Sequence, residues 1–280
     1  MKSAGSAVSL ATTNSNNSSS PSHSLGSYLY QRQLDGNKYT SGRLLVDAGS
    51  SQFPGAAVLA VGGARRGGAG YINYLRREAA PTDLVLRAYP DVVPLSDDTE
   101  IDADLFDAIL IGPGSPRITA LPSKSRLVID GGALALAMQP HPAQQIRILT
   151  PHEGEIRKLG FDPTDRKSCA LQAAAQLRAV LLLKGRNSIV ATPQEIIFTD
   201  EIAGPELSTA GTGDVLAGLI ASMIASHRPN TLTHAAEITA HAVEIFSAAA
   251  QLAVGSRAPL VATDLLDAIP MLLARGETSL

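Results

Sequence analysis

Ser208-Thr-Ala-Gly-Thr-Gly-Asp-Val-Leu-Ala-Gly-Leu219 is small and glycine-rich for six residues, then apolar and suited to a helix. A helix that opens at Gly211-Thr212-Gly213 presents unpaired backbone N–H groups and the positive end of its dipole. That is an anion site. Asp214 stands at the same opening. A carboxylate repels a phosphate unless it takes a proton from the group that attacks the phosphate. Phosphoryl transfer to a hydroxyl is therefore one reading. An ordinary helix opened by a Thr or Asp N-cap is the other.

Outward from this stretch the chain repeats strand, glycine or polar loop, helix. Residues 43–48 read as a buried strand, followed by the loop Gly49-Ser-Ser-Gln-Phe-Pro-Gly55 and a helix that starts over 56–61. Residues 105–111 form the next such strand, ending in Gly112-Pro-Gly114; Arg117 stands where a dinucleotide fingerprint needs its third glycine. Strands over 127–130 and 147–150 run into Asp130-Gly-Gly132 and the loop Pro151-His-Glu-Gly-Glu155. An Ala-rich helix over 164–178, capped by Thr164 or Asp165, leads to a strand over 179–183 that ends in Lys184-Gly185. Residues 71–75 and 83–89 are expected as short strands about a helix near 76–80. Residues 188–191 and 195–199 are expected to pair as a hairpin near the sheet edge. Helices are expected over 215–226, 232–254 and 264–273. The repetition predicts an α/β fold, a mainly parallel sheet with helices on both faces.

In such sheets ligands sit at the carboxyl ends of the strands. Here those ends deliver Gly49/Ser50, Gly112/Gly114, Asp130, residues 150–155 and Lys184/Gly185 to one rim, where the helix at Gly211 joins them. Each residue also has a plainer reading. Lys184 is a phosphate ligand or a solvated lysine. His152 contacts a substrate or shapes a turn. Asp130 binds Mg²⁺ through water or caps the turn after it.

Composition narrows the classes. The chain has 280 residues, 45% hydrophobic and 18% charged, with a net charge of -3 and no Trp. No basic block suggests nucleic acid, and no apolar run is expected to reach the ~18 residues of a membrane-spanning helix. The single Cys169, expected as a small buried residue on a helix, excludes an internal disulfide and a multi-cysteine metal site. GxxxxGK[ST], HExxH and GxSxG are all absent, which argues against P-loop NTPases, zinc hydrolases and serine hydrolases. His234 and His241 share a helical face and read as surface or core residues. Residues 1–27, rich in Ser, Asn and Thr, read as a flexible tail or an uncertain start, without secretory or transit features. Residues 28–280 are expected as one domain, in the cytoplasm.

Together these residues resemble a known family. Leu149-Thr-Pro-His-Glu-Gly-Glu155, Leu183-Lys-Gly185 and Gly211-Thr-Gly-Asp-Val-Leu-Ala-Gly218 look like the ADP-dependent NAD(P)H-hydrate dehydratases, of ribokinase-like fold. Gly49-Ser50, Pro54-Gly-Ala-Ala57, Gly112-Pro-Gly114 and Asp130-Gly-Gly-Ala-Leu134 follow the same order, and the likeness runs from about residue 39 to 274. The Thr-Pro-His-Glu-Gly and Gly-Thr-Gly-Asp forms resemble the bacterial, ADP-using branch.

The resemblance implies nucleotide repair: the S-form of hydrated NADH or NADPH is phosphorylated on its C6 hydroxyl and eliminates phosphate, with AMP the other product. By motif, Asp214 contacts that hydroxyl and acts as base. Ala56 or Ala57, Gly112, Gly114 and His152 hold the hydrated dinucleotide. Lys184, Gly185, Arg186, Asn187, Ser188, Gly211, Thr212 and Gly213 hold the nucleotide. Mg²⁺ accompanies ADP, with no protein metal ligand assigned. The resemblance also implies a homo-oligomer, a tetramer by analogy, and a separate epimerase. The family's Asp-Ala-Asp is replaced by Asp130-Gly131-Gly132, so one carboxylate is missing. An alternative is a kinase of a thiazole, pyridoxal or hydroxymethylpyrimidine alcohol on the same fold. A non-catalytic nucleotide binder fits poorly with Asp214 in its glycine setting.

Overall fold

The computed structural model describes residues 36–96, 102–115, 120–122, 126–256 and 259–277. The proposed tail over 1–27 and the position of Arg117 lie outside the described residues. Within them, short apolar runs form the interior strands: β1 (Arg43–Asp47), β4 (Ala108–Ile111), β5 (Arg126–Ile129), β6 (Arg147–Leu149) and β7 (Val180–Leu183). β4 and β7 are buried at every residue, as expected for strands covered on both faces. With β2 (Tyr71–Arg76), β3 (Val93–Ser96), β8 (Ile189–Ala191) and β9 (Ile196–Thr199), the described residues form one sheet in the order β3-β2-β1-β4-β5-β6-β7-β8-β9. The pairs from β3 to β7 are parallel, and β8 and β9 are antiparallel additions that end the sheet as the expected hairpin.

Successive strand residues point to opposite faces. Leu44 and Val46 pack under α1 (Pro54–Ala64), α5 (Thr212–His227), α6 (Leu232–Ser256) and α7 (Ala262–Glu277). Leu45 packs on the other side, towards α3 (Glu153–Lys158), α4 (Arg166–Leu177) and Cys169. Helices therefore cover both faces of a mainly parallel sheet, the α/β architecture expected.

Three expectations are corrected. Residues 83–89 are not a strand, and 76–80 are not a helix of their own. α2 spans Ala79–Ala88, and the strand comes later, at β3. Within α2 Pro81, Thr82 and Val85 are buried while Leu84 is exposed, a helical rather than alternating pattern. The strand expected over 105–111 begins only at Ala108, because Asp102 caps a 3-10 turn over Ala103–Leu105. Finally, Leu232–Gly255 is long and apolar enough to cross a membrane, with mean hydropathy 1.3, contrary to expectation. It serves as a core helix, with 67% of its apolar window buried in the fold.

The α1–α5 contact sets where the glycine stretch lies. A Cβ on Gly63 would land on the Val215 carbonyl, and one on Gly218 on the Ala60 carbonyl. The two helices thus meet backbone to backbone, lined by Ala60, Ala64, Ala217 and Ala221. Gly218→Ala is expected to force them apart at a cost of about 1–3 kcal/mol. Urea denaturation checks this; an unchanged midpoint contradicts the close approach.

Candidate active site

The carboxyl ends of β1, β4, β5, β6 and β7 lie side by side because those strands are consecutive parallel neighbours. After β1, Gly49 takes φ +81°. Ser50 Oγ donates to the Gly114 carbonyl at 2.8 Å and Ser115 Oγ donates to the Gly49 carbonyl at 2.9 Å, so the loops after β1 and β4 brace each other. Gly114, at φ +62°, lies against Ala56: a Cβ built there would be 2.5 Å from the Ala56 Cβ. Ala56 and Gly114 are half-buried. Ala57 and Gly112 are fully covered, beneath Gly49 and against the Asp130 carbonyl. They shape this wall rather than face solvent.

Asp130 and Lys184 form the centre. Asp130 Oδ1 accepts from Lys184 Nζ at 2.6 Å and from Thr150 Oγ1 at 2.7 Å. The carboxylate is buried and makes no cap to the turn after it. The turn-cap reading of Asp130 thus gives way to a role as the counter-ion of Lys184. Nor is Lys184 solvated: its Nζ lies 3.3 Å from where a Gly213 Cβ would be, under the first turn of α5. Burial alone lowers the Lys184 pKa, but the fields of Asp130 and Glu155, the hydrogen bond to Asp130 and the field of Asp214 raise it above the ordinary lysine value.

α5 begins at Thr212, within the opening expected at Gly211–Gly213, although its body was expected only from residue 215. Its N-cap is Gly211, at φ +90°, with no side-chain cap. Thr212 Oγ1 instead donates back to the carbonyls of Leu207 and Thr209, both at 3.0 Å. The Thr or Asp N-cap alternative is not realised, and no side chain caps the N–H groups of the first turn. Asp214 stands on that turn. Burial first, then the Asp130 field, with a smaller push from Glu155, raises its pKa to about 7, against the opposing pull of Lys184. A carboxylate titrating there can accept a proton near neutral pH.

His152 follows β6 but is not in an open loop; it is the N-cap of α3. Its Nδ1 accepts from the N–H groups of Gly154 at 2.9 Å and Glu155 at 3.2 Å, and Glu155 Oε2 accepts from the His152 N–H at 2.8 Å. This capping box leaves the ring hydrogen on Nε2, which lies 3.6 Å from Glu155 Oε2 on a largely exposed side chain.

A cavity of about 460 Å³ opens beside this centre. Lys184, Gly185, Arg186, Ser188, Thr212 and Gly213 give it a polar end, with His152 on its lining. Leu207, Leu216, Val243 and Phe246 give it an apolar end. Asn187 and Gly211 lie outside the lining. Asn187, at φ +58°, donates from Nδ2 to the Asp200 carbonyl, and Gly211 packs against Leu59. Lys184, Gly185, Arg186, Ser188, Thr212 and Gly213 of the expected nucleotide residues thus gather round one cavity together with His152, while Ala56 and Gly114 form a separate wall. Asp130 joins the two groups, against Gly112 on one side and Lys184 on the other.

Two residues went unforeseen. Asp200, buried on the cavity lining, accepts from Ser247 Oγ at 2.6 Å and from the N–H groups of Ile202 and Ala203, and so shapes the wall after β9. Glu155 fixes His152, and its N-cap-to-N3 spacing was readable.

A model of the NAD(P)H-hydrate dehydratase family matches residues 44–271. The chain belongs to that family. Among curated relatives, it is 36% identical over 276 residues to a bifunctional NAD(P)H-hydrate repair enzyme of Salinibacter ruber, covering 87% of this chain and 50% of that one. It is 31% identical over 269 residues to the ADP-dependent (S)-NAD(P)H-hydrate dehydratase of Bacillus subtilis, covering 89% and 95%. The chain thus spans about half the bifunctional relative and nearly all of the single-function dehydratase. The Bacillus subtilis ADP/ATP-dependent dehydratase, co-crystallised with ATP/Mg²⁺, superposes with a TM-score of 0.74 at 29% identity, over 88% of this chain and 93% of that one. A hydroxyethylthiazole kinase of Pyrococcus horikoshii, at 16% identity and TM-score 0.51, shares the fold.

Proposed function

We propose that this family member is an ADP-dependent dehydratase of the S-form of hydrated NADH or NADPH, yielding NADH or NADPH, AMP and phosphate. The observation that carries the reading is Asp214, titrating near 7 on an uncapped helix opening beside the cavity. The sequence relatives support the substrate class.

ADP lies in the cavity, its base at the apolar end and its phosphates towards Lys184, Arg186 and the N–H groups of Thr212 and Gly213. The hydrated ring lies against Ala56 and Gly114, with Ala57 and Gly112 supporting them from beneath, and His152 Nε2 donates to it. Asp214 takes the proton of the C6 hydroxyl. That oxygen bonds the β-phosphorus of ADP as the bond to the AMP oxygen breaks. The ring nitrogen's lone pair then expels phosphate from C6, and loss of a C5 proton restores the reduced nicotinamide. The chain contributes alignment and charge stabilisation more than covalent chemistry. Among the described residues no three His, Cys, Asp or Glu side chains gather as a metal cage. Mg²⁺ would enter with the ADP phosphates and would neutralise part of their charge.

A homo-oligomer is proposed by analogy alone.

The test is incubation with chemically hydrated NADH and ADP, following the absorbance of the reduced nicotinamide. Its recovery supports the proposal. ADP or ATP turnover only with a vitamin alcohol assigns the kinase activity instead. A pH profile adds a second check. Since Asp214 acts as a carboxylate, kcat/KM is expected to rise with pH through a midpoint near 7, about tenfold between pH 6 and pH 8 for one ionisation. An acid limb centred below pH 5 removes Asp214 from the role of base.

A further inference from the structure

We propose that Arg166 is a positioning residue that sets the nucleotide loop with one arm of its guanidinium and the His152 helix with the other. The naming of the acceptor side rests on the dehydratase reading; the nucleotide side does not.

Arg166 is the first residue of α4, behind the cavity lining rather than on it. Its Nη1 donates to Glu153 Oε1 at 2.6 Å. Its Nη2 faces three backbone carbonyls of the loop after β7: Leu183 at 3.1 Å, Lys184 at 3.4 Å and Asn187 at 3.5 Å. The loop curls round this nitrogen. Gly185 takes φ +138° and Asn187 takes φ +58°. A Cβ on Gly185 would lie 3.3 Å from both terminal nitrogens, so the loop lies directly on the guanidinium. The residues so curled include Lys184, Gly185 and Ser188, which give the cavity its polar end. Glu153, on the other arm, is the residue after His152 and opens the six-residue α3. The Arg166 Nε is buried with no hydrogen-bond partner. Burying that donor unpaired is unfavourable. Its retention fits a side chain placed for its two terminal nitrogens. A planar guanidinium can serve a carboxylate and a cluster of carbonyls at once; an ammonium cannot keep both directions.

The two arms can be cut separately. Arg166→Lys removes the carbonyl fork and leaves a cation able to reach Glu153. Glu153→Gln weakens the carboxylate arm and leaves the fork. Arg166→Lys is expected to weaken ADP binding on the order of tenfold by calorimetry, which needs no acceptor. Glu153→Gln is expected to leave the ADP Kd within about twofold and to raise the KM for hydrated dinucleotide several-fold. Arg157→Gln, which removes only the exposed partner of Glu153 at 3.3 Å, is the control and is expected to change neither constant. Thermal unfolding is recorded for every variant. Unchanged ADP affinity in folded Arg166→Lys overturns the proposal. So does an equal rise of both constants in Glu153→Gln. Should Arg166→Lys fail to fold, the Glu153→Gln split decides alone. Failure of the dehydratase reading shows separately, as wild-type protein that binds ADP but never restores hydrated NADH.

Discussion

Asp214→Asn is expected to fold, to bind ADP, and to lose roughly 10²- to 10⁴-fold in turnover. The amide is nearly the same size and keeps the helix opening intact, but it cannot take the hydroxyl proton. The same substitution is expected to stabilise the protein at neutral and alkaline pH. The Asp214 pKa is about 7 in the fold and near 3.8 in the unfolded chain. Between those values the native state holds a proton that the unfolded state has released. Stability is therefore greatest below the unfolded value and falls as pH rises through the folded one. Asparagine carries no such ionisation. Urea midpoints of the two proteins should converge near pH 4 and separate by pH 8, with the variant the more stable. Near-normal turnover in the variant, or a variant less stable at pH 8, contradicts the role given to Asp214. A carboxylate that weakens the fold where it works fits a residue kept for chemistry.

Lys184→Met is expected to have the largest effect on stability. It leaves Asp130 buried without its cation, close to the fields of Asp214 and Glu155. Removing one partner of a buried pair costs about 3–5 kcal/mol. Because the Lys184 charge lowers the Asp214 pKa, its loss is also expected to carry the acid limb of kcat/KM to higher pH. Adding Asp130→Asn should restore much of the stability, since the uncompensated charge goes, but not the turnover. Urea unfolding of the single and double variants reads the first effect. A single variant within about 1 kcal/mol of wild type means that the pair is not the structural centre assigned to it.

Much of this arrangement was legible in the chain, for identifiable reasons. The interior strands are continuous apolar runs that stop at glycine or a charged residue, and in a parallel sheet those stops share one rim. That is how Gly114, Asp130, Lys184 and the helix at Gly211 could be placed together before any coordinates. The interior of the rim was not legible. Asp130 and Lys184 are 54 residues apart, and their pairing follows from strand order β5-β6-β7. In the sequence Asp130 read as a water-bridged Mg²⁺ ligand or a turn cap and Lys184 as a phosphate ligand or a solvated side chain; the cap and the solvated lysine are not realised, and the ion pair between the two residues had no local sign. Residues 83–89 misled because a short apolar run fits a strand or a helix equally well. Asp200 carried no local mark, since its partner Ser247 comes from a helix 47 residues on. His152 and Glu155 did carry one, the spacing of a capping box, obscured because histidine is an unusual N-cap.

The most direct measurement is the stoichiometry of a reaction of the wild-type protein with the S hydrate of NADH and Mg²⁺–ADP. NADH, AMP and phosphate are expected to appear in equal amounts, and none of them with Asp214→Asn over the same time. AMP formed with a stable phosphorylated product and no NADH, or NADH formed without consumption of ADP, would contradict phosphorylation-driven elimination at this site.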